Sequence, residues 1–149
     1  MNKKGFTLVE LLAVIAILAI LVVVALPNVL GMFNSAKKDT FTTETKDMVR
    51  IVQQQYLANF GKHSRYAIAG STGITEANIV TCDSSTTLSA GQYCKIDKEA
   101  GNLTTFIIEF DTAGKVTKLD SKDSSYEYTF TKSGSTEFDV KNVTANDKA

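Results

Sequence analysis

A single apolar run near the N-terminus constrains this chain more than any other feature. From Phe6 to Leu26 the residues are apolar or nearly so, and Glu10 is the one ionisable side chain among them. A helix of about 20 residues spans a hydrocarbon core of ~30 Å, so the run is long enough to cross a membrane. A carboxylate in such a run costs roughly 2.5–3.5 kcal/mol on insertion scales, and less near an interface. The sequence therefore predicts a function for Glu10 that offsets this cost.

The residues on either side of the run indicate a cleavage point ahead of it. Lys3 and Lys4 precede the run with no balancing acid, so the positive-inside rule predicts a cytoplasmic N-terminus and an external remainder. A secretory signal would place small residues after its apolar stretch, and the sequence beginning Leu26-Pro27 is a poor match. Gly5 is instead the small residue at a sharp boundary. A cut after Gly5 would leave the apolar helix on the mature chain.

Pro27 and Gly31 follow the run within a pattern that otherwise stays helical. A proline in a helix interior removes a backbone donor and clashes with the preceding turn, at a cost of about 3 kcal/mol. A glycine adds conformational freedom. We predict a helix kink here, and two interpretations stay open: a simple kink, which membrane helices tolerate, or a flexible point.

An amphipathic helix is predicted to continue through residues 27–60. Polar side chains occupy one face, and apolar side chains recur on the other at helical spacing, which is typical of a helix packed on a core. The apolar stripe consists of Phe41, Met48, Val52 and Tyr56. Gly61 is the expected C-terminal breaker.

The remainder of the chain changes from a connector to a strand pattern. Residues 61–102 are rich in Gly, Ser and Thr and are predicted to form a connector loop with one short strand or turn. From Leu103 onward the period becomes that of strands separated by turn residues. The candidate strands are Leu103–Phe110, Lys115–Leu119, Tyr126–Lys132 and Thr136–Val143. We expect an α+β fold in which a long N-terminal helix packs on an antiparallel sheet of three or four strands within residues 103–149.

Cys82 and Cys94 are the two cysteines of the chain. An even number of cysteines on the outer side of a membrane favours a disulfide, which would close a loop of about a dozen residues and contribute on the order of 3 kcal/mol. Two buried thiols are the alternative. The usual spacing of zinc ligands is absent, since His63 lies far upstream, so no metal site is expected.

Charge and motif content exclude several function classes. The 16 basic residues balance the 16 acidic ones, so there is no basic field for strong nucleic-acid binding. The sequence has no Gly-rich phosphate loop, and the single His63 has no partners for a nucleophile–base–acid set. The acids in the predicted turns lack calcium-loop spacing, so solvated turn residues are favoured over a calcium site. These acids are Asp111, Asp120 and Asp123. We expect neither enzymatic activity nor a cofactor.

The N-terminal motif resembles the prepilin leader of type IV pilins and their relatives, the pseudopilins. The matching stretch is Lys3-Lys4-Gly5-Phe6-Thr7-Leu8-Val9-Glu10-Leu11-Leu12. Leader, cut site, aromatic residue, acid and apolar helix occur in the order that the family shows, over roughly the first thirty residues. The resemblance implies that a membrane peptidase cleaves after Gly5 and methylates the new N-terminus at Phe6. The resulting segments are the leader 1–5, the transmembrane or filament-core helix 6–26, the amphipathic half 27–60, the connector 61–102 and the head sheet 103–149.

The resemblance also implies partners and a location. The chain would pass from the cytoplasmic membrane, anchored by its single helix, into an extracellular filament of copies of itself that serves adhesion, motility or aggregation. A prepilin peptidase, an assembly platform and an ATPase would act on it. The region around Pro27 and Gly31 would lose helicity during filament packing. Many pilins close their last strands with a disulfide near the C-terminus, whereas this chain has no cysteine after Cys94.

Cleavage would give Glu10 a partner, because it creates a cationic amine at Phe6. In a filament, Glu10 of one subunit can approach the Phe6 amine of a neighbour, and such a charge pair is stronger in low dielectric than in water. Apolar packing has little axial preference, so the pair would set the register, as a buried polar residue does in a coiled coil. The alternatives are that Glu10 lies at headgroup depth or is protonated.

Two other functions remain open at this level. A pseudopilin of a type II secretion or competence DNA-uptake system would share the same N-terminus. A membrane-anchored domain that never polymerises would keep its leader and would have no need of Glu10.

Overall fold

The computed structural model describes residues 5–148. Residues 1–4, which form most of the predicted leader and include Lys3 and Lys4, lie outside this part. Two compact units divide the chain, Met1–Lys37 and Lys38–Ala149. Helix α1 (Leu8–Ala58) continues through the boundary between them.

The first unit contains the apolar part of α1. All residues from 5 to 37 are exposed. Pro27 lies inside α1, and the helix continues through both Pro27 and Gly31. The helix is therefore not interrupted at these two residues. A bend of the helix axis there stays a prediction.

In the second unit, α1 buries one face against the sheet. The buried residues of the helix recur three or four positions apart, which is the spacing of one helical face. They are Phe41, Thr45, Met48, Val49 and Val52. Tyr56 is half-buried and stacks on Phe110, with 4.7 Å between ring centroids. The predicted apolar stripe is therefore the face that contacts the core.

The helix ends in a Schellman motif with an unusual residue in it. Phe60 N–H donates to the Leu57 carbonyl at 3.0 Å, and Gly61 N–H donates to the Tyr56 carbonyl at 2.8 Å. These bonds place Phe60 at the left-handed position, with φ 55°. Glycine usually fills this position because a Cβ is disfavoured there. The helix thus ends close to the predicted Gly61, and a bulky residue occupies the strained position.

Seven strands form one mixed sheet with the spatial order β2-β3-β1-β4-β5-β6-β7. They are β1 (Arg65–Ala67), β2 (Ile79–Val80), β3 (Tyr93–Lys95), β4 (Thr105–Phe110), β5 (Val116–Lys122), β6 (Tyr126–Thr131) and β7 (Asn146–Asp147). The β2–β3 and β3–β1 pairs are parallel, and the remaining pairs are antiparallel. The α+β class is confirmed, with a sheet that is mostly antiparallel.

The sheet has more strands than the three or four expected, because the connector contributes strands of its own. β1, β2 and β3 lie within residues 61–102 and extend the sheet beyond β4. β4 becomes a central strand that is buried on both faces. Phe106 and Ile108 belong to the cluster on the helix side, whereas Ile107 packs with Ala67 and Ile74 in a second cluster.

The predicted strand Thr136–Val143 is wrong. A short 3-10 helix, Val140–Asn142, occupies this segment, and the last strand is the two-residue β7 beside β6. The Asp139 side chain accepts a hydrogen bond from Lys141 N at 2.9 Å. Such a local bond offers the backbone an alternative to a sheet ladder, so the apolar alternation in this segment does not produce a strand.

Polar side chains of α1 bind the sheet and one of its loops in the second unit. Gln55 accepts from Asp97 N–H at 3.1 Å and donates to the Lys95 carbonyl at 3.3 Å. Thr45 and Ser121, both fully buried, share a hydrogen bond of 2.8 Å between the helix and β5. Burial of these hydroxyls is tolerated because each satisfies the other.

Candidate assembly site

Thr7 and Glu10 form a capping box at the start of α1. Glu10 Oε2 accepts from Thr7 N at 2.9 Å and from Thr7 Oγ1 at 2.8 Å, while Glu10 N–H donates to Thr7 Oγ1 at 3.3 Å. Each residue thus supplies an acceptor for a backbone N–H of the other, at a helix end that has no intrahelical acceptors for its first N–H groups. No role was predicted for Thr7 from the sequence. The Thr-x-x-Glu pattern ahead of an apolar run was the signal that could have identified it.

The capping box leaves part of the Glu10 carboxylate available. Both bonds from Thr7 go to Oε2, and within residues 5–148 no hydrogen bond to Oε1 is present. Glu10 is exposed, and so is the neighbouring Phe6, with 82% of its surface accessible. We call Phe6, Thr7 and Glu10 the assembly site. A cation from outside the chain can reach Oε1 without displacing Thr7.

The assembly site lies at the start of a large apolar surface. The exposed large apolar side chains of the first unit run from Phe6 to Phe33, with accessible fractions from 41% to 82%. By length and composition, α1 contains a stretch able to cross a membrane, with a mean hydropathy of 3.2 over its most apolar window. Water is a poor environment for so much contiguous apolar surface. This surface is therefore expected to be buried by lipid or by other chains, since residues 5–148 leave it exposed.

Gly5 and Gly31 lie in open surroundings. A Cβ added at either position would meet no atom within 4 Å. The fold of this chain therefore does not itself require glycine at the predicted cleavage site. A requirement for a small residue at Gly5 would have to come from the enzyme that cuts there.

Cys82 and Cys94 form a disulfide with a Cα–Cα distance of 5.4 Å. Cys94 lies in β3 and is fully buried, and Cys82 follows β2. His63, for which no partner was predicted, lies beside the bridge. Its ring nitrogen and the two Sγ atoms are all within 4.8 Å of one another. Ligand spacing along the chain did not predict this grouping.

Two of the three acids that were considered for calcium, Asp111 and Asp123, close their own turns, whereas Asp120 lies within β5 rather than in a turn. Asp111 Oδ1 accepts from Ala113 N and Lys115 N, both at 2.9 Å. The Lys115 N–H is the main cause of a pKa of Asp111 below its ordinary value. Asp123 Oδ1 likewise accepts from two backbone N–H groups at 2.6 Å, those of Ser125 and Tyr126. These bonds account for aspartate at both positions by turn chemistry alone.

The architecture defines a class of proteins. One half of a helix, begun by a capped carboxylate, exposes apolar side chains throughout, and the other half supports an α+β unit. Proteins of this class bury the apolar half outside their own fold, in lipid or against other chains.

Comparison with known proteins identifies the family. Residues 1–26 match the motif described as the prokaryotic N-terminal methylation motif. The chain is 37% identical over 107 residues to the type IV wide pilus major component PilA4 of Thermus thermophilus, and the match covers 70% of this chain and 80% of that protein. No solved structure matches significantly. The chain belongs to the type IV pilin family, whose members are structural proteins rather than enzymes.

Proposed function

We propose that this chain is the subunit of a type IV pilus, a surface filament that serves adhesion, motility or aggregation. The leader is removed after Gly5, Phe6 is N-methylated, and the mature chain polymerises through the apolar half of α1. One observation carries the proposal: the apolar half of α1 is exposed throughout and begins with a carboxylate that keeps one oxygen available. The similarity to a pilus major component supports it.

The exposed apolar surface of α1 is buried twice in succession, first by lipid and then by other copies of the chain. Burying one large apolar side chain contributes about 1.5–3 kcal/mol, so the segment is stable first in the cytoplasmic membrane. Lys3 and Lys4 favour an orientation with the N-terminus inside the cell and the second unit, which we call the head, outside. Assembly then replaces lipid by the helices of other copies. Since lipid tails are as apolar as leucine, this exchange supplies little hydrophobic driving force of its own.

A charge pair can set the axial position of neighbouring helices, which apolar packing alone does not set. Cleavage creates a cationic amine at Phe6, and Glu10 Oε1 of another subunit is an acceptor that the capping box leaves available. Two unit charges 4 Å apart attract by about 4 kcal/mol at an effective dielectric constant of 20. Each charge left alone in an apolar environment is penalised. The pair therefore favours one axial position of neighbouring helices over others.

Processing controls assembly in this proposal. An uncleaved chain would place two lysines where the neighbouring carboxylate accepts a single amine. The prepilin peptidase therefore acts before polymerisation, and an assembly platform and ATPase move the mature chain out of the bilayer. Apolar burial contributes little to this transfer, because lipid and neighbouring helices cover the same surface about equally well.

The proposal is tested on cells that make the chain. Mass spectrometry of the mature protein should show a chain that begins at Phe6 and carries one added methyl group there. Electron microscopy of sheared surface filaments, labelled with antibody to this chain, should show the label along the shaft. An intact Met1 on the protein in cells, or a surface without labelled filaments, would contradict the proposal.

A further inference from the structure

His63 lies in a buried position against the Cys82–Cys94 bridge. Its accessible fraction is 2%, and that of Cys94 is 0%. The sheet creates this proximity: β1 and β3 are parallel neighbours, with Tyr66 paired to Cys94, and His63 lies just before β1. One ring nitrogen and two sulfur atoms within 4.8 Å of one another are three potential ligands for one metal ion.

The hydrogen bond of His63 orients its ring and occupies one of the two ring nitrogens. His63 Nε2 lies 2.8 Å from the Asp83 carbonyl oxygen. A carbonyl can only accept, so Nε2 is the ring nitrogen that donates to it, and Nδ1 is the ring nitrogen left to bind a metal. A metal-bound histidine typically donates its other ring N–H to a carbonyl or carboxylate in this way, which fixes the tautomer and the ring orientation.

We propose that the head binds a thiophilic divalent cation such as Zn²⁺ when Cys82 and Cys94 are reduced, with the two sulfurs and the His63 imidazole as ligands. A dithiol or phosphine reductant supplies two electrons, the S–S bond breaks, and two protons give two thiols while the reductant is oxidised. Binding of Zn²⁺ then releases both thiol protons to solvent and forms two Zn–S bonds and one Zn–N bond. Water or a backbone carbonyl completes the tetrahedral set.

The charge of the loaded site is compatible with two sulfur ligands. His63 is among the residues that line a cleft of about 230 Å³. Two thiolates, a neutral imidazole and Zn²⁺ sum to zero charge, so the loaded site is compatible with burial, whereas a dication bound by neutral ligands alone would not be.

The disulfide and the metal exclude each other, because both use the same two sulfurs. A chain reaches its oxidising exterior as a dithiol, and the dithiol is the form that Zn²⁺ binds. Bound metal should therefore slow formation of the bridge, and the completed bridge should not bind metal. The proposal concerns the head alone and does not depend on filament assembly.

The test uses the full-length chain in mild detergent, reduced with a phosphine that contributes no thiol ligand. Titration with Zn²⁺ against a chromophoric chelator should give one site per chain, with affinity that rises about 100-fold per pH unit while both thiols are protonated in the free protein, because two protons are released. Co²⁺ in place of Zn²⁺ should give thiolate-to-metal charge-transfer absorption. The unreduced chain should show neither signal.

Variants separate the three ligands from the rest of the surface. His63→Gln can keep a donor for the Asp83 carbonyl but removes the imidazole, and it should weaken Zn²⁺ binding at least about 10-fold. Cys82→Ser should abolish the two-thiolate Co²⁺ spectrum. Asp139→Asn, a surface control that retains its cap, should bind as the unmodified chain does. Circular dichroism of each oxidised or unreduced variant checks that it is folded.

Two results would overturn the proposal. The first is a reduced, unmodified chain that shows no Zn²⁺ or Co²⁺ binding at any concentration up to millimolar, including a chain that unfolds on reduction and is not refolded by metal. The second is equal affinity in the unmodified chain, His63→Gln and Cys82→Ser, which would place the ion elsewhere.

Discussion

Glu10 binds Thr7 through a single oxygen, Oε2, which accepts from the backbone N–H at 2.9 Å and from the hydroxyl at 2.8 Å. One carboxylate therefore caps the helix within the chain and, in our proposal, meets the amine of a neighbour. The two roles require different properties, since a cap needs an acceptor and a charge pair needs a charge. Substitutions can therefore separate them.

Phe60→Gly should stabilise the head. Phe60 adopts φ 55° with 87% of its surface exposed, so the replacement loses little burial. Removing the Cβ relieves a left-handed backbone strain of roughly 1–2 kcal/mol. This gain exceeds the entropic cost of ordering a glycine on folding, which is roughly 0.5–1 kcal/mol. Urea unfolding of the full chain in mild detergent should show a rise of about 0.5–1 kcal/mol. Phe60→Ala retains the Cβ and should show no such rise, so equal gains in both variants would refute the assignment to strain.

Gly114→Ala should destabilise the head more than Gly134→Ala. Both glycines have positive φ, 78° and 59°, so both variants incur the backbone cost. At Gly114 the new Cβ would lie 3.0 Å from Cε1 of Tyr56, whereas at Gly134 it would meet no atom within 4 Å. Overpacking typically adds about 1–3 kcal/mol. The unfolding free energies should therefore differ by about 1 kcal/mol or more, and Gly114→Ala alone should alter the near-ultraviolet signal of the Tyr56–Phe110 stack.

Reduction of the Cys82–Cys94 bridge should lower the free energy of unfolding by about 3 kcal/mol, because the bridge closes a loop of 12 residues in the unfolded chain. The measurement is the urea midpoint with and without a phosphine reductant, in buffer with a chelator. The double variant Cys82→Ser, Cys94→Ser should be insensitive to the reductant. An unchanged midpoint in the unmodified chain would show that the bridge does not constrain the head.

Asp83 should titrate near pH 2. Hydrogen bonds from the side chain and the backbone N–H of Ser85, followed by those of Thr86, lower the pKa of Asp83 from 3.8 to about 2. The folded value is below the unfolded one, so the contribution of Asp83 to stability is complete above pH 3.8 and is lost as the pH falls through about 2. The amide resonances of Ser85 and Thr86 should shift with a midpoint near 2, and Asp83→Ala should remove this transition. A midpoint near 4 would contradict the turn geometry.

The long helix and the longer strands could be predicted from the sequence, because their apolar pattern repeats many times. The apolar run and the stripe of Phe41, Met48 and Val52 repeat over many residues, so the pattern identifies the helix and its buried face. The central strands β4, β5 and β6 were predicted for the same reason, with small errors at their ends. Long segments carry enough repeats for the period to decide the structure.

Short and non-local features could not be predicted in this way. β2 and β7 have two residues each, which is too few to show a period, and they are strands because a neighbour pairs with them. His63 lies beside Cys94 only because β1 and β3 pair in parallel, which spacing along the chain does not reveal. The capping box is an exception among the local features, because the Thr-x-x-Glu pattern of Thr7 and Glu10 ahead of an apolar run is sufficient to predict it.

The most direct test of the account compares filaments from three variants of the assembly site. Glu10→Gln keeps an acceptor suited to the capping box and loses the charge, Thr7→Ala loses the cap and keeps the charge, and Glu10→Ala loses both. The account predicts normal leader removal in all three, shaft filaments from Thr7→Ala, and few or none from Glu10→Gln and Glu10→Ala, counted by electron microscopy. Filaments from Glu10→Gln at the unmodified yield, with none from Thr7→Ala, would show that Glu10 acts only as a cap and would contradict the charge-pair account.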